Sequence, residues 1–396
     1  MNAEKRRPLS SPFSRFRRRD QIAVLVFSPA NLNAIDGSSV WTQTVTLALA
    51  DVSNVQVSIL LAHRLTTERL AGPLLRNPKV EVIDPFKGWR HGRDASLSID
   101  DAAGVLVGMS NKVDIVIVRG ADVASRLARE PKLQGKLWPY LTDVPQRAED
   151  IDDMWRARIA DIMEAAPILL CQTEELKSFL ESSFESVAGK GRVLAPIVPH
   201  DVRAEFLSPP SRENLQLCYS GKFARHWNTY EMCELPSLLA SRNIDATLTM
   251  VGDKINRDPD WPEYVGLMRE RLESSPGVRW VGGVSRVESL GHMAQTHIGL
   301  SWRSKELDDS LELSTKLLEY CAAGTPPILN RTTMHERVFG DDYPLFVDSN
   351  TEIVDLIAAL VDDPGAYLEA LERIGGISDR YTSRMAGARL RHLLSE

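Results

Sequence analysis

The chain alternates short runs of branched aliphatic residues with longer stretches of helical period, and it does so twice. In the first half "QIAVLVFS" (21–28), "VQVSILLA" (55–62), "KVEVID" (79–84), "VDIVIVRG" (113–120) and "PILLCQT" (167–173) read as strands bounded by turn residues. Helices are predicted near 38–51, 66–76, 97–111, 121–129 and 150–165. "GRVLAPIVP" (191–199) closes this half, and "SPPSREN" (208–214) reads as a linker. The alternation restarts with "LQLCYSG" (215–221), "ATLTMVGD" (246–253), "VRWVGG" (278–283), "HIGLSW" (297–302) and "PPILN" (326–330). The expected class is therefore α/β, with two doubly wound Rossmann-like domains facing a central cleft. Such a cleft is the default ligand site. The domain boundaries expected are a basic tail over 1–20, a first domain over 21–207, the linker 208–214 and a second domain over 215–378. A C-terminal helix over 379–396 is expected to pack back on the first domain.

At 396 residues the chain is long enough for two sizeable cores. Its net charge of −7 gives no global reason to expect nucleic acid as a partner. The four cysteines, Cys171, Cys218, Cys233 and Cys321, form no C-x-x-C pair. Cys171 and Cys321 lie in apolar runs and read as buried thiols in a reducing cytosol. No run approaches the roughly 20 apolar residues that span a bilayer. The tail "MNAEKRRPLSSPFSRFRRRD" is basic but has no apolar h-region. Two readings stay open for it: a solvated leader, or an arm that touches anionic lipid.

The stretch "ELSTKLLEYCAAGTPPIL" (312–329) poses the sharpest chemical question. Leu317, Leu318, Cys321, Ala322 and Ala323 make a short buried helix, yet Glu319 sits in its middle. A buried carboxylate is costly unless something binds it. Ser314 can start the helix, whose free N–H groups beside Lys316 form a natural anion site. A Lys316–Glu319 ion pair on an amphipathic surface is the plainer reading. In "YSGKFARHW" (219–227), Lys222 and Arg225 follow a strand and a tight turn, where they can reach phosphate. In "NAIDGSSVW" (33–41), Gly37 and Ser38 can bring backbone N–H groups to a phosphate at the next helix start. No G-x-G-x-x-G supports a nicotinamide dinucleotide. The basic-aromatic loop "FKGWRHGR" (86–93) is either an ordinary loop or a face for anionic lipid or acceptor.

"STKLLEYCAAGTPPI" resembles the donor-site signature of family-4 glycosyltransferases, and "YSGKF", "MVGD" and "VGGVSRVESLGHMA" fall where that family places its other donor loops. The resemblance covers the second half well and reaches the first half only as architecture plus "DGSS". It implies a GT-B fold, a nucleotide-diphosphate sugar as donor, no metal, no cofactor and retention of configuration. Glu319 would then bind ribose hydroxyls, held by the ligand rather than by the protein. Ser314, Thr315 and Lys316 would meet the diphosphate or sugar, with Gly252, Gly283 and Val284 also on the donor side. Lys222 and Arg225 would neutralise the leaving diphosphate. Two departures stand out. The family's E-x7-E pattern would place its first glutamate at Leu311, whereas this chain has Glu312. The family's first-domain histidine is absent, and the loop "LWPYLTDVPQ" (137–146) offers Asp143, which serves catalysis or merely the turn. Arg119, ending a strand, points by topology into the same cleft. The resemblance thus implies a metal-independent hexosyl or related transferase in cell-surface glycan synthesis. The cysteines point to the cytoplasm, and the lipid-touching reading of the tail and the 86–93 loop would add peripheral contact with anionic membrane. The acceptor is open. The rivals are a silent GT-B module that binds glycan or protein, and a nucleotide-sugar epimerase.

Overall fold

The computed structural model describes residues 21–87, 92, 94–198, 208–349 and 352–396. The tail 1–20 and most of the 86–93 loop lie outside the described residues. The first domain contains β1 (Ile22–Phe27), β2 (Val55–Leu60), β3 (Val80–Ile83), β4 (Ile115–Arg119), β5 (Leu137–Tyr140), β6 (Leu169–Cys171) and β7 (Gly191–Val193). They form a seven-stranded sheet in the order β3-β2-β1-β4-β5-β6-β7. The second domain contains β8 (Leu215–Ser220), β9 (Ala246–Val251), β10 (Val278–Gly282), β11 (Ile298–Leu300), β12 (Pro327–Asn330) and β13 (Phe346–Val347). Its six strands run β10-β9-β8-β11-β12-β13. Neighbouring strands in both sheets are parallel, as β1–β2, β1–β4, β8–β9 and β8–β11 illustrate.

The apolar runs explain this directly. Val24 to Phe27 are buried on both faces of β1, and helices cover both sides of the sheet. The strand order reverses between β1 and β4 and again between β8 and β11. A crevice opens at the carboxyl ends of strands at each such switch point, and there ligands bind. The last helix, Ser383–Leu393, leaves the second domain and lies on the Gly37–Ala50 helix of the first. Its Ala386, Leu390 and Leu393 share one core with Val45, Ala48 and Leu49.

Two sequence expectations need correction. The stretch 137–146 reads as a loop, but Leu137–Tyr140 is a wholly buried strand inside the sheet. Pro139 disguises it, and the cost to the ladder is small because β5 pairs with β6 at Tyr140–Leu170 alone. The helix read over 66–76 shrinks to Gly72–Arg76. Pro73 suits a first turn, and the preceding backbone is held extended by Asn33, whose Oδ1 accepts from Thr66 N at 2.7 Å and Thr67 N at 3.1 Å.

Candidate active site

The two switch points face each other across one cavity of about 440 Å³ between the domains. Its first-domain wall includes Gly37, Ser38, Trp41, Arg119, Tyr140 and Asp143. Its second-domain wall includes Lys222, Trp227, Arg286, Glu312, Ser314, Thr315, Lys316 and Glu319.

The helix starts on the two walls differ. At the Gly37–Ala50 helix, Asp36 is the cap, and its Oδ1 accepts from Ser38 N at 3.1 Å and Ser39 N at 3.0 Å. Of the donors expected to meet phosphate at this helix start, the Ser38 N–H is therefore already occupied. Burial works against the Asp36 carboxylate, but the Ser39 N–H and nearby Lys254 outweigh it and lower its pKa. At the Thr315–Ala323 helix, Ser314 holds the cap position with extended backbone, yet its side chain makes no capping bond. That helix start points at the cavity without a capping side chain.

Two lysines flank it. Lys316 Nζ lies 3.7 Å from the Tyr219 ring centre and 4.8 Å from that of Trp227, with no hydrogen-bond partner. Lys222 Nζ lies 5.6 Å from the same Trp227 ring. Burial pushes the Lys316 ammonium well below its usual pKa, and the neighbouring charge of Arg303 adds to the shift. Arg303 is itself 7% exposed, and its Nε has no partner. Positive charge thus converges here, opposed by Glu319 and Asp308, neither of which is within ion-pair distance of Lys316 or Arg303.

For Glu319 the structure corrects the expectation that the protein does not hold it. Arg286 Nε donates to Glu319 Oε1 at 2.8 Å, so the protein does bind this carboxylate. Lys316 is not the partner. Arg286 also donates to Ile197 O at 3.3 Å, tying the pair to the crossover between the domains. Sequence reasoning passed over Arg286, although a signal was present. Ser285 and Glu288 form a capping box that puts Arg286 in the first turn of the Arg286–Ala294 helix.

Opposite, Arg119 Nη1 donates to Ser38 Oγ at 2.5 Å and its guanidinium lies 5.9 Å from the Trp41 ring centre. Burial raises the pKa of Glu312, opposed by Arg119 and reinforced by Asp143. Asp143 has φ +59°, a left-handed conformation that non-glycine residues seldom adopt. Such strain is common at functional sites.

Four expected residues lie off the cavity wall. Arg225 turns to Asp258 at 3.8 Å. Gly252 has φ +143°, and a Cβ there would sit 2.2 Å from Gly221 O, so it lets the ends of β8 and β9 approach. Gly283 abuts Asp253, and Val284 packs beside Leu290 and Met293. These three shape the loops.

Comparison with known proteins agrees with this geometry. Residues 235–384 match a family described as glycosyl transferase-like. Among solved structures, Anabaena HepE in complex with UDP and glucose superposes with a TM-score of 0.66 at 12% identity, over 95% of this chain and 99% of that one. WaaG, a glycosyltransferase involved in lipopolysaccharide biosynthesis, gives 0.60 at 15% identity, over 94% and 100%. Staphylococcal (S. aureus) TarM, in complex with UDP among other ligands, gives 0.66 at 9% identity, over 95% and 100%. The chain has the GT-B glycosyltransferase fold. Curated protein sequences return no match. In GT-B terms the cavity is the interdomain cleft, and the Thr315–Ala323 helix opens onto it from the second domain.

Proposed function

We propose that this chain is a retaining glycosyltransferase that moves a hexosyl or related sugar from a nucleotide-diphosphate donor to an acceptor hydroxyl. The observation that carries this is the uncapped start of the Thr315–Ala323 helix, flanked by Lys316 and Lys222, neither of them in an ion pair among the described residues. A diphosphate supplies the ion-pair partner that these two lysines lack. As the glycosidic bond breaks, negative charge grows on the diphosphate; its presence favours the charged form of Lys316 that burial disfavours, and the two lysines stabilise it. The helix start and lysines supply that charge neutralisation, so the reaction as proposed requires no metal. Glu319, oriented by Arg286, stands where ribose hydroxyls would bind. Arg119, Asp143 and Glu312 face the transferred sugar and the acceptor. The retaining course rests on the resemblance of the 314–326 segment. The complexes of HepE with UDP-glucose and with UDP make a uridine nucleotide the first donor to try. A role in cell-surface glycan synthesis and peripheral membrane contact belong to the same proposal. Co-sedimentation with anionic and neutral vesicles tests the latter.

The decisive experiment incubates the protein with UDP-, GDP- and ADP-sugars and follows free nucleotide. Slow donor hydrolysis is expected. Sugar interconversion would indicate an epimerase, and neither binding nor turnover a silent module. Lys222→Ala and Lys316→Ala should each weaken nucleoside-diphosphate binding roughly 10- to 100-fold, at about 1.5–3 kcal/mol per charged contact. Nucleoside binding should change far less. Equal losses for both ligands would remove the phosphate clamp.

A further inference from the structure

The segment between β11 and the Thr315–Ala323 helix belongs in sequence to the second domain, but side chains of the first domain hold its backbone. Gln146 Oε1 accepts from Leu311 N at 2.7 Å, and Thr173 Oγ1 donates to Leu311 O at 2.7 Å. Gln172 closes a two-point contact with Leu313: its Oε1 accepts from the N–H at 2.9 Å and its Nε2 donates to the carbonyl at 3.1 Å. Both polar backbone groups of Leu311 and both of Leu313 therefore end on the opposite domain. The Leu311 side chain packs against the main cores of both domains. Between these two pinned residues stands Glu312, and Ser314 follows directly; both line the cavity.

We propose that Gln146, Gln172 and Thr173 act as a latch that positions Glu312 and the start of the donor helix, so that the donor site is complete only when the two domains are closed. Within the turn itself Glu312 N donates to Ser310 Oγ at 3.3 Å, a single local bond that gives it little reason of its own to keep one conformation. Here the complementary donors and acceptors come from loops of the first domain, after β5 and β6. Thr173 is doubly committed, because the same hydroxyl accepts from Leu176 N at 3.1 Å and caps the Glu174–Ser183 helix. The segment is thereby tied to a rigid element rather than to a free loop. Opening the cleft would break all four bonds together and release Glu312 from Arg119 and Asp143. The geometry stands on its own; its catalytic meaning rests on reading the cavity as a donor site.

The test uses the full chain and reads amide hydrogen exchange at Leu311 and Leu313 without ligand, beside UDP affinity. In a Gln146→Leu/Gln172→Leu double variant both amides should exchange at least 10-fold faster, and UDP affinity should fall about 10-fold. Gln146→Glu is the rescue, because a carboxylate still accepts from Leu311 N; Leu311 exchange should stay at the wild-type rate there and rise in Gln146→Leu. Unchanged exchange at both amides in the double variant would overturn the latch. So would equal acceleration in Gln146→Glu and Gln146→Leu. A wild type that binds no UDP counts against the uridine-donor reading, and the exchange result then decides the latch alone. A variant with faster exchange but wild-type UDP affinity would overturn the positioning role.

Discussion

Glu319 meets Arg286 at 2.8 Å, with side-chain exposures of 14% and 9%. A pair this buried contributes little net stability, but losing one member leaves an uncompensated charge at about 3–5 kcal/mol. Glu319→Gln should therefore lower stability by about 3 kcal/mol, and Glu319→Gln/Arg286→Met should regain part of it. Nucleotide affinity should fall in both variants if the carboxylate also serves ribose. Urea unfolding beside UDP titration checks this, and normal binding in an unstable Glu319→Gln would confine the glutamate to the fold. His335 carries a pH prediction. Burial, reinforced by Arg303, lowers its pKa from 6.5 to about 4, although Nδ1 donates to Asn330 O at 2.7 Å. Below pH 6.5 the unfolded chain binds a proton that the folded protein refuses until about pH 4. Stability should thus drop as pH falls through this window, by up to about 3 kcal/mol, and level off below it. Urea midpoints between pH 7 and pH 4 should show a flatter slope for His335→Gln than for wild type. Equal slopes would exclude His335 as the source.

At the scale of elements, the contrast between two helix starts separates structure from function. Asp36 closes the first helix with its own carboxylate, which satisfies the N–H groups of Ser38 and Ser39 internally. Ser314 leaves the other open toward the cavity. Tyr320 explains another residue of the 314–326 segment. Its hydroxyl lies 2.9 Å from Cys218 O and accepts from Ser220 N at 3.2 Å. The β8–β11 ladder covers only Ile298–Leu217 and Gly299–Cys218, so beyond it the phenol satisfies backbone groups that a longer strand would have paired. Gly299 makes room for it, since a Cβ there would sit 2.6 Å from the ring. This tyrosine supports the backbone at the switch point from behind and is not among the residues that line the cavity.

The whole molecule is held together by few contacts of very different worth. The Asp36–Lys254 pair at 3.4 Å and the Glu175–Arg337 pair at 3.0 Å cross the cleft, but partly exposed ion pairs of this kind contribute about 0–1 kcal/mol. Burial contributes more. Val198 N donates to Tyr381 O at 2.9 Å where the two crossing segments meet, and the Ser383–Leu393 helix then buries Leu390 completely in the first domain. Leu390→Ala should cost about 2–5 kcal/mol, as for any interior leucine, although it lies far from that domain in sequence. Chemical denaturation measures it. A loss below about 0.5 kcal/mol would mean that the helix is only loosely docked.

Local pattern determined the elements, because a parallel strand such as "IAVLVF", buried from Ala23 onward, admits no other reading beside helices of regular period. It also marked Lys222, Lys316, Ser314 and Glu319, since a carboxylate and cations on an apolar helix are legible as an anomaly. Pattern failed at β5, where proline hides four buried residues. It failed for partners as well. That Arg286 meets Glu319 across 33 residues is set by how two helices of the second domain pack, and that Gln172 pairs with Leu313 across 141 by how the two domains meet. Side-chain type and spacing carry no record of that distance. The chain by itself determined two doubly wound domains and the chemistry available at their strand ends. Only the tertiary structure decided which of those groups are already satisfied by protein and which remain open to a ligand.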